Sequence, residues 1–286
     1  MLMKTIFLKA GVILLAAVLI FSGCNTQPKV KQDKGTNSKG QTSSVEVEVF
    51  DAVKLKDQIV EIFKTAPKLS EFMNSINEVG VTYMLELTVP PENVEKYITV
   101  YDQCLAIGMY DFDVLYARAY NRQDIIAQLF PVQKNLIGKI GLEKELAAMK
   151  KYDNWFKRNQ GNSDSLNAVV SDVMNEVAKS YHAGEYSGVY ALLSVSANVE
   201  GLYILTQTAL MAKNKTKILD LIGKQRERVN TCCQLLEVMS GDKNVAPIFE
   251  KMKPILANFT DDQPFTEKKL AEVAPLIEQM RKGFEK

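Results

Sequence analysis

The chain has 286 residues, 47% hydrophobic and 24% charged, with 35 Lys+Arg against 34 Asp+Glu for a formal charge of +1. That balance excludes the dense basic face that nucleic-acid binding requires, while the apolar content can furnish a large core. One histidine and four cysteines exclude multi-histidine and clustered-thiolate metal centres.

At the N-terminus, Lys4 and Lys9 precede an apolar run from Ala10 to Phe21. This run is shorter than the roughly 20 residues that cross a bilayer as a helix. A charged start, a short apolar core and small residues before a cut describe a secretory signal peptide. The closing Phe21-Ser22-Gly23-Cys24 is similar to a lipoprotein signal, with Phe21 where Leu is usual. The expectation is a signal peptide over 1–23, removed so that Cys24 becomes the N-terminal, acylated (palmitate-type) attachment point. Losing Lys4 and Lys9 leaves 33 Lys+Arg against 34 Asp+Glu, close to neutral.

Residues 24–50 read as a lipid-anchored flexible tether. Over 25–44, Thr, Gln, Lys, Ser, Asn and Gly dominate, and such a composition buries too little surface to offset the cost of ordering. Lys29, Lys31, Lys34 and Lys39, offset by Asp33, read as a solvated spacer, with a weak attraction to anionic headgroups as the alternative. Val45 to Phe50 alternates strictly, as does Val81 to Val89. A small ribbon is one reading; an extended tether end and an apolar helix or plug is the other, because a lone two-stranded ribbon is marginal in water.

From residue 51 to 286 the hydrophobic period is helical. Leu55, Ile59, Ile62 and Phe63 begin it. A helix over 92–106 follows Pro90-Pro91 and is expected to close near Gly108. Ser163 or Asp164 caps a helix that stops at Gly184. Long helices are predicted over 185–212 and 215–239, then shorter ones over 245–258 and 266–284. The sum is a single all-α domain, a large antiparallel bundle of about ten helices.

No nucleophile elbow, phosphate loop, dinucleotide fingerprint or haem motif occurs, so no cofactor is predicted. Cys104, Cys232 and Cys233 read as small buried hydrophobes, with a bridge from Cys104 to Cys232 or Cys233 as the alternative. His182 reads as a surface or C-terminal capping residue. Two polar stripes stand out. Asp113, Tyr116 and Tyr120, spaced i, i+3 and i+7, share one helix face with Asn121 beside them. Glu200, Tyr203 and Gln207 repeat the spacing on an apolar segment, next to Gly201, a residue that suggests close helix approach. All seven are expected together in the interior, as a structural hydrogen-bond network or a small-ligand pocket.

Leu105 to Tyr110 through Tyr120-Asn121, Ser163-Asp164-Ser165-Leu166 and Val199 to Gln207 resemble a family of helical lipoproteins and secreted proteins of Gram-negative bacteria. Asn198 stands where that family has tryptophan, and Arg122 where it has glutamine. The resemblance implies an all-helical fold and an envelope address, with no assigned activity. The function expected is a membrane-tethered periplasmic or cell-envelope lipoprotein that binds a protein or small-molecule partner without catalysis. Its alternatives are a hydrolase-like enzyme working through Asp113 and Glu200, and a structural envelope component.

Overall fold

The computed structural model describes residues 53–66, 76, 79–80, 82–142, 146–147, 186–260 and 263–286. The chain divides into Met1–Lys39 and Gly40–Lys286, and every described residue belongs to the second unit. The expected signal peptide, Cys24, the tether, the alternating segment 45–50, the helix over 163–184 and His182 lie outside the described residues.

The described residues are all-helical, with no strand among them. The α-helices are α1 (Val53–Thr65), α2 (Val100–Ala119), α3 (Gln123–Ile140), α4 (Ser187–Met211), α5 (Thr216–Gly223), α6 (Arg226–Val238), α7 (Ala246–Ala257) and α8 (Glu267–Phe284). Short 3₁₀ segments occupy Leu85–Leu87 and Pro91–Lys96.

α4 is the centre. It is apolar nearly all round, the pattern of a helix surrounded by protein rather than half-wetted. α1, α2, α5, α6 and α8 all pack against it. It is long and apolar enough to cross a membrane, yet 83% of its most apolar stretch lies inside the protein, so core burial already accounts for its composition. α2 packs most extensively on α4, and one residue makes that possible. A Cβ placed on Gly108 would stand 2.1 Å from the Leu193 carbonyl oxygen and 2.1 Å from Ser196 Oγ. Ser196 turns its hydroxyl back to the carbonyls of Leu192 and Leu193, so this polar group is satisfied within its own helix.

Three elements differ from the expectation. The helix foreseen over 92–106 is instead a 3₁₀ segment, a break at Tyr97–Thr99, and then α2 running through Gly108 to Ala119. Thr99 sets the new start: its hydroxyl accepts the Asp102 N–H at 3.1 Å, capping the helix. Gly108 does not end the helix, because the residue is there for helix contact. The helix foreseen over 215–239 divides into α5 and α6 after Gly223, with Gln225 folding its amide onto the Leu221 carbonyl. Residues 82–90 form neither ribbon nor α-helix. They are an extended strap with one 3₁₀ turn, Leu87 and Val89 buried and Leu85 exposed.

The three interior cysteines are free and buried, as the small-hydrophobe reading has it. Burial pushes the thiols of Cys104 and Cys232 up to about 12.

Candidate functional site

The strap fixes the site because its backbone needs hydrogen-bond partners and α2 supplies them from side chains. Asp113 Oδ2 accepts the Val89 N–H at 2.9 Å. Tyr116 accepts the Met84 N–H at 3.1 Å and donates to the Thr82 carbonyl at 3.4 Å. Tyr110 donates to the Pro90 carbonyl at 2.8 Å. A segment with no neighbouring strand thus satisfies its polar groups on one polar helix face.

Above it, α4 and α8 face each other through a buried ion pair. Glu200, 0% exposed, receives two bonds from Arg281: Nε to Oε2 at 2.9 Å and Nη2 to Oε1 at 3.2 Å. Arg281 Nη2 also reaches the Leu87 carbonyl at 3.4 Å, and Nη1 pairs with Glu285. Each guanidinium nitrogen is therefore engaged within the protein. The plane of Arg281 lies over the Tyr203 ring, 4.5 Å from its centre, a favourable cation–π position. Asn93 completes the group by donating to Glu285 at 3.2 Å.

The electrostatics follow from one cation among three carboxylates. Burial, and then the negative charge of Glu200, hold the Asp113 carboxyl well above the usual carboxylate range; the Val89 N–H and Arg281 oppose that shift. Burial also raises Glu200, with Arg281 pulling the other way. Arg281 is held firmly charged by Glu200 and Glu285 against its own desolvation. Asp113 Oδ1, buried, has no hydrogen-bond partner among the described residues. One turn along α2, Tyr83, Tyr116 and Tyr120 form an aromatic triangle with ring centres 4.6 to 5.7 Å apart, and Arg122 lies 5.0 Å over Tyr83. Burial pushes the Tyr116 phenol up to about 12.

The comparisons with family models, curated proteins and solved structures returned no match.

The geometry therefore stands by itself. Asp113 and Glu200 are buried and feel each other's charge, and Tyr203 joins them through Arg281. Tyr116 and Tyr120 belong to the adjoining aromatic triangle. Gln207 is half-buried, its amide nitrogen sheltered and unpartnered. Asn121 corrects the expectation: it is exposed, with a positive φ of 56°, in the turn between α2 and α3. Asparagine is among the few residues that adopt that backbone readily, so its place is conformational. Sequence reasoning missed Arg281, Glu285 and Tyr83. Arg281 sits in the last turn of α8, where a basic residue is expected for the helix dipole alone.

Chemically, the cluster is a charge-compensated brace. Glu200 is already bonded to Arg281, Asp113 holds the strap, and Tyr116 is bonded to backbone on both sides. Among the described residues no group of three or more His, Cys, Asp or Glu side chains is arranged to hold a metal ion.

Proposed function

We propose that this chain is a membrane-tethered lipoprotein of the cell envelope, anchored through acylated Cys24 and facing the periplasm or cell surface. Its helical domain, read as one antiparallel bundle of about ten helices, binds a protein or small-molecule partner and carries out no catalysis. The family of Gram-negative helical lipoproteins that it resembles is consistent with that address. The observation carrying the non-enzymatic reading is the two-point bond between Glu200 and Arg281, which commits the most plausible catalytic carboxylate to the fold. Asp113 favours one second reading, a hydrolase-like enzyme, because its unpartnered Oδ1 and raised pKa suit a general acid.

The test has two parts. Cys24→Ser should move the protein from the membrane to the soluble envelope fraction; unchanged membrane partition refutes the anchor. Glu200→Gln should lower the melting temperature and leave captured partners unchanged. A variant of native stability that has lost its ligand or an activity would instead make the cluster a functional site.

A further inference from the structure

A cleft of about 680 Å³ opens between the start of α2, the residues entering α7 and the end of α8. Its size falls within the range of roughly 300–1,000 Å³ typical of small-ligand sites. None of Asp113, Tyr116, Glu200 or Arg281 lines it. The floor is apolar: Leu105, Met280 and Phe284 are buried beneath it, and Ile248 forms part of one wall.

The charges around this floor do not cancel. Asp102 is answered by Lys286 at 3.0 Å. Asp242 accepts the Asn244 N–H at 2.7 Å and keeps its negative charge at the rim, so the three lysines Lys243, Lys251 and Lys286 face two aspartates, an excess of one positive charge. Lys243 and Lys251 also line the cleft, and neither has a carboxylate partner within 4.0 Å among the described residues. Lys251 is an exposed residue. Its ammonium lies 3.5 Å from where a Cβ of Gly283 would stand, so it is drawn across the bare backbone at the end of α8. The first turns of α2 and α7 bring the positive ends of two helix dipoles to this rim, and the last turn of α8 brings one negative end.

Unanswered cations beside an apolar floor define the complementary ligand. We infer that this cleft binds a small anionic amphiphile, with a carboxylate or phosphate head on Lys251 and Lys243 and a short apolar body over Leu105, Met280 and Phe284. The inference deepens the binding reading above by naming the ligand class.

Calorimetric titration of the full chain carrying Cys24→Ser tests it, with octanoate and octyl phosphate as probes. Octyl glucoside supplies the same tail without charge, and acetate the head without the tail. Both anionic probes should bind at least about tenfold more tightly than either control, as charge-assisted hydrogen bonds imply. Lys251→Met, which keeps the stem and removes the charge, should weaken octanoate binding about tenfold at unchanged melting temperature. Displacement of octanoate by phosphatidylglycerol vesicles, but not by phosphatidylcholine vesicles, would place the head in a bilayer; no displacement would make the ligand a soluble amphiphile. Equal affinity for octyl glucoside, or a Lys251→Met protein that melts lower yet binds octanoate normally, would overturn the inference and leave Lys251 as a cap on α8. Failure here with Cys24→Ser still released from the membrane removes this ligand class and leaves the tethered-binding reading standing.

Discussion

Replacing Arg281 by methionine isolates the contribution of the buried ion pair. The two side chains are 7% and 0% exposed, so water cannot take over the lost bonds to Glu200. Methionine keeps much of the aliphatic stem, so the change removes the charge and the guanidinium over Tyr203 more than volume. The bond from Arg281 to Glu285 matters less, because Glu285 is 25% exposed and can rehydrate. Removing one partner of a buried pair typically costs about 3–5 kcal/mol, because the remaining charge is left uncompensated. With a urea m-value of about 3 kcal/mol/M for a domain of this size, the unfolding midpoint should fall by about 1–1.7 M. The double variant Arg281→Met, Glu200→Leu removes both charges, and apolar replacement of a buried pair is often neutral or stabilising. It should therefore recover most of the loss. Urea denaturation of native, single and double variants closes the cycle. A single substitution costing under about 1 kcal/mol, or two single losses that merely add, would refute the role assigned to the pair.

Gly108→Ala should destabilise by at least the roughly 1–3 kcal/mol of an overpacked core, since the new methyl would meet the Leu193 backbone carbonyl; an unchanged melting temperature would contradict the α2–α4 contact. Stability should rise as pH falls from about 7 toward 5. Asp113 is raised by burial and Asp111 is pushed up to about 7 by burial against its bond to Gln133, so both retain protons in the native state that the unfolded chain has released. Their contribution is complete below the unfolded carboxylate pKa of about 4 and fades as pH climbs through the folded values, so Asp113→Asn should flatten the melting-temperature profile. Cys104 and Cys232 should resist aromatic disulfide reagents until the protein unfolds; rapid labelling of either one in the native protein would contradict its burial.

Much of the fold is legible because helices write their packing into a local period. α4, α7 and α8 lie within two residues of the expected bounds for that reason, and the helical spacing from Leu55 to Phe63 falls inside α1. Elements whose partners are distant in sequence were not legible. The strap's sequence alternates like a strand, but its burial does not: Leu87, Thr88 and Val89 are all buried while Leu85 is exposed. Its hydrogen bonds nevertheless go to the side chains of Asp113 and Tyr116, which no local pattern announces. Glu200 was recognisable as a carboxylate on an apolar helix that needed a hydrogen-bond partner. Its identity was hidden because Arg281 lies 81 residues away among several basic residues of α8. Thr99-Val100-Tyr101-Asp102 did carry a capping signature, and it outweighs the double proline in setting the start of α2.

That separation of 81 residues between Glu200 and Arg281 is also an interval of time. At roughly 5–20 residues per second, a ribosome adds Arg281 about 4–16 s after Glu200. Throughout that interval α4 carries a carboxylate with no guanidinium to meet it, and its most apolar helix cannot bury that face in a charged state. The Leu87 carbonyl waits still longer for the same side chain, 194 residues away. Burial of Glu200 as a charged carboxylate therefore depends on α8, the last helix in the chain, whose arginine pairs with it.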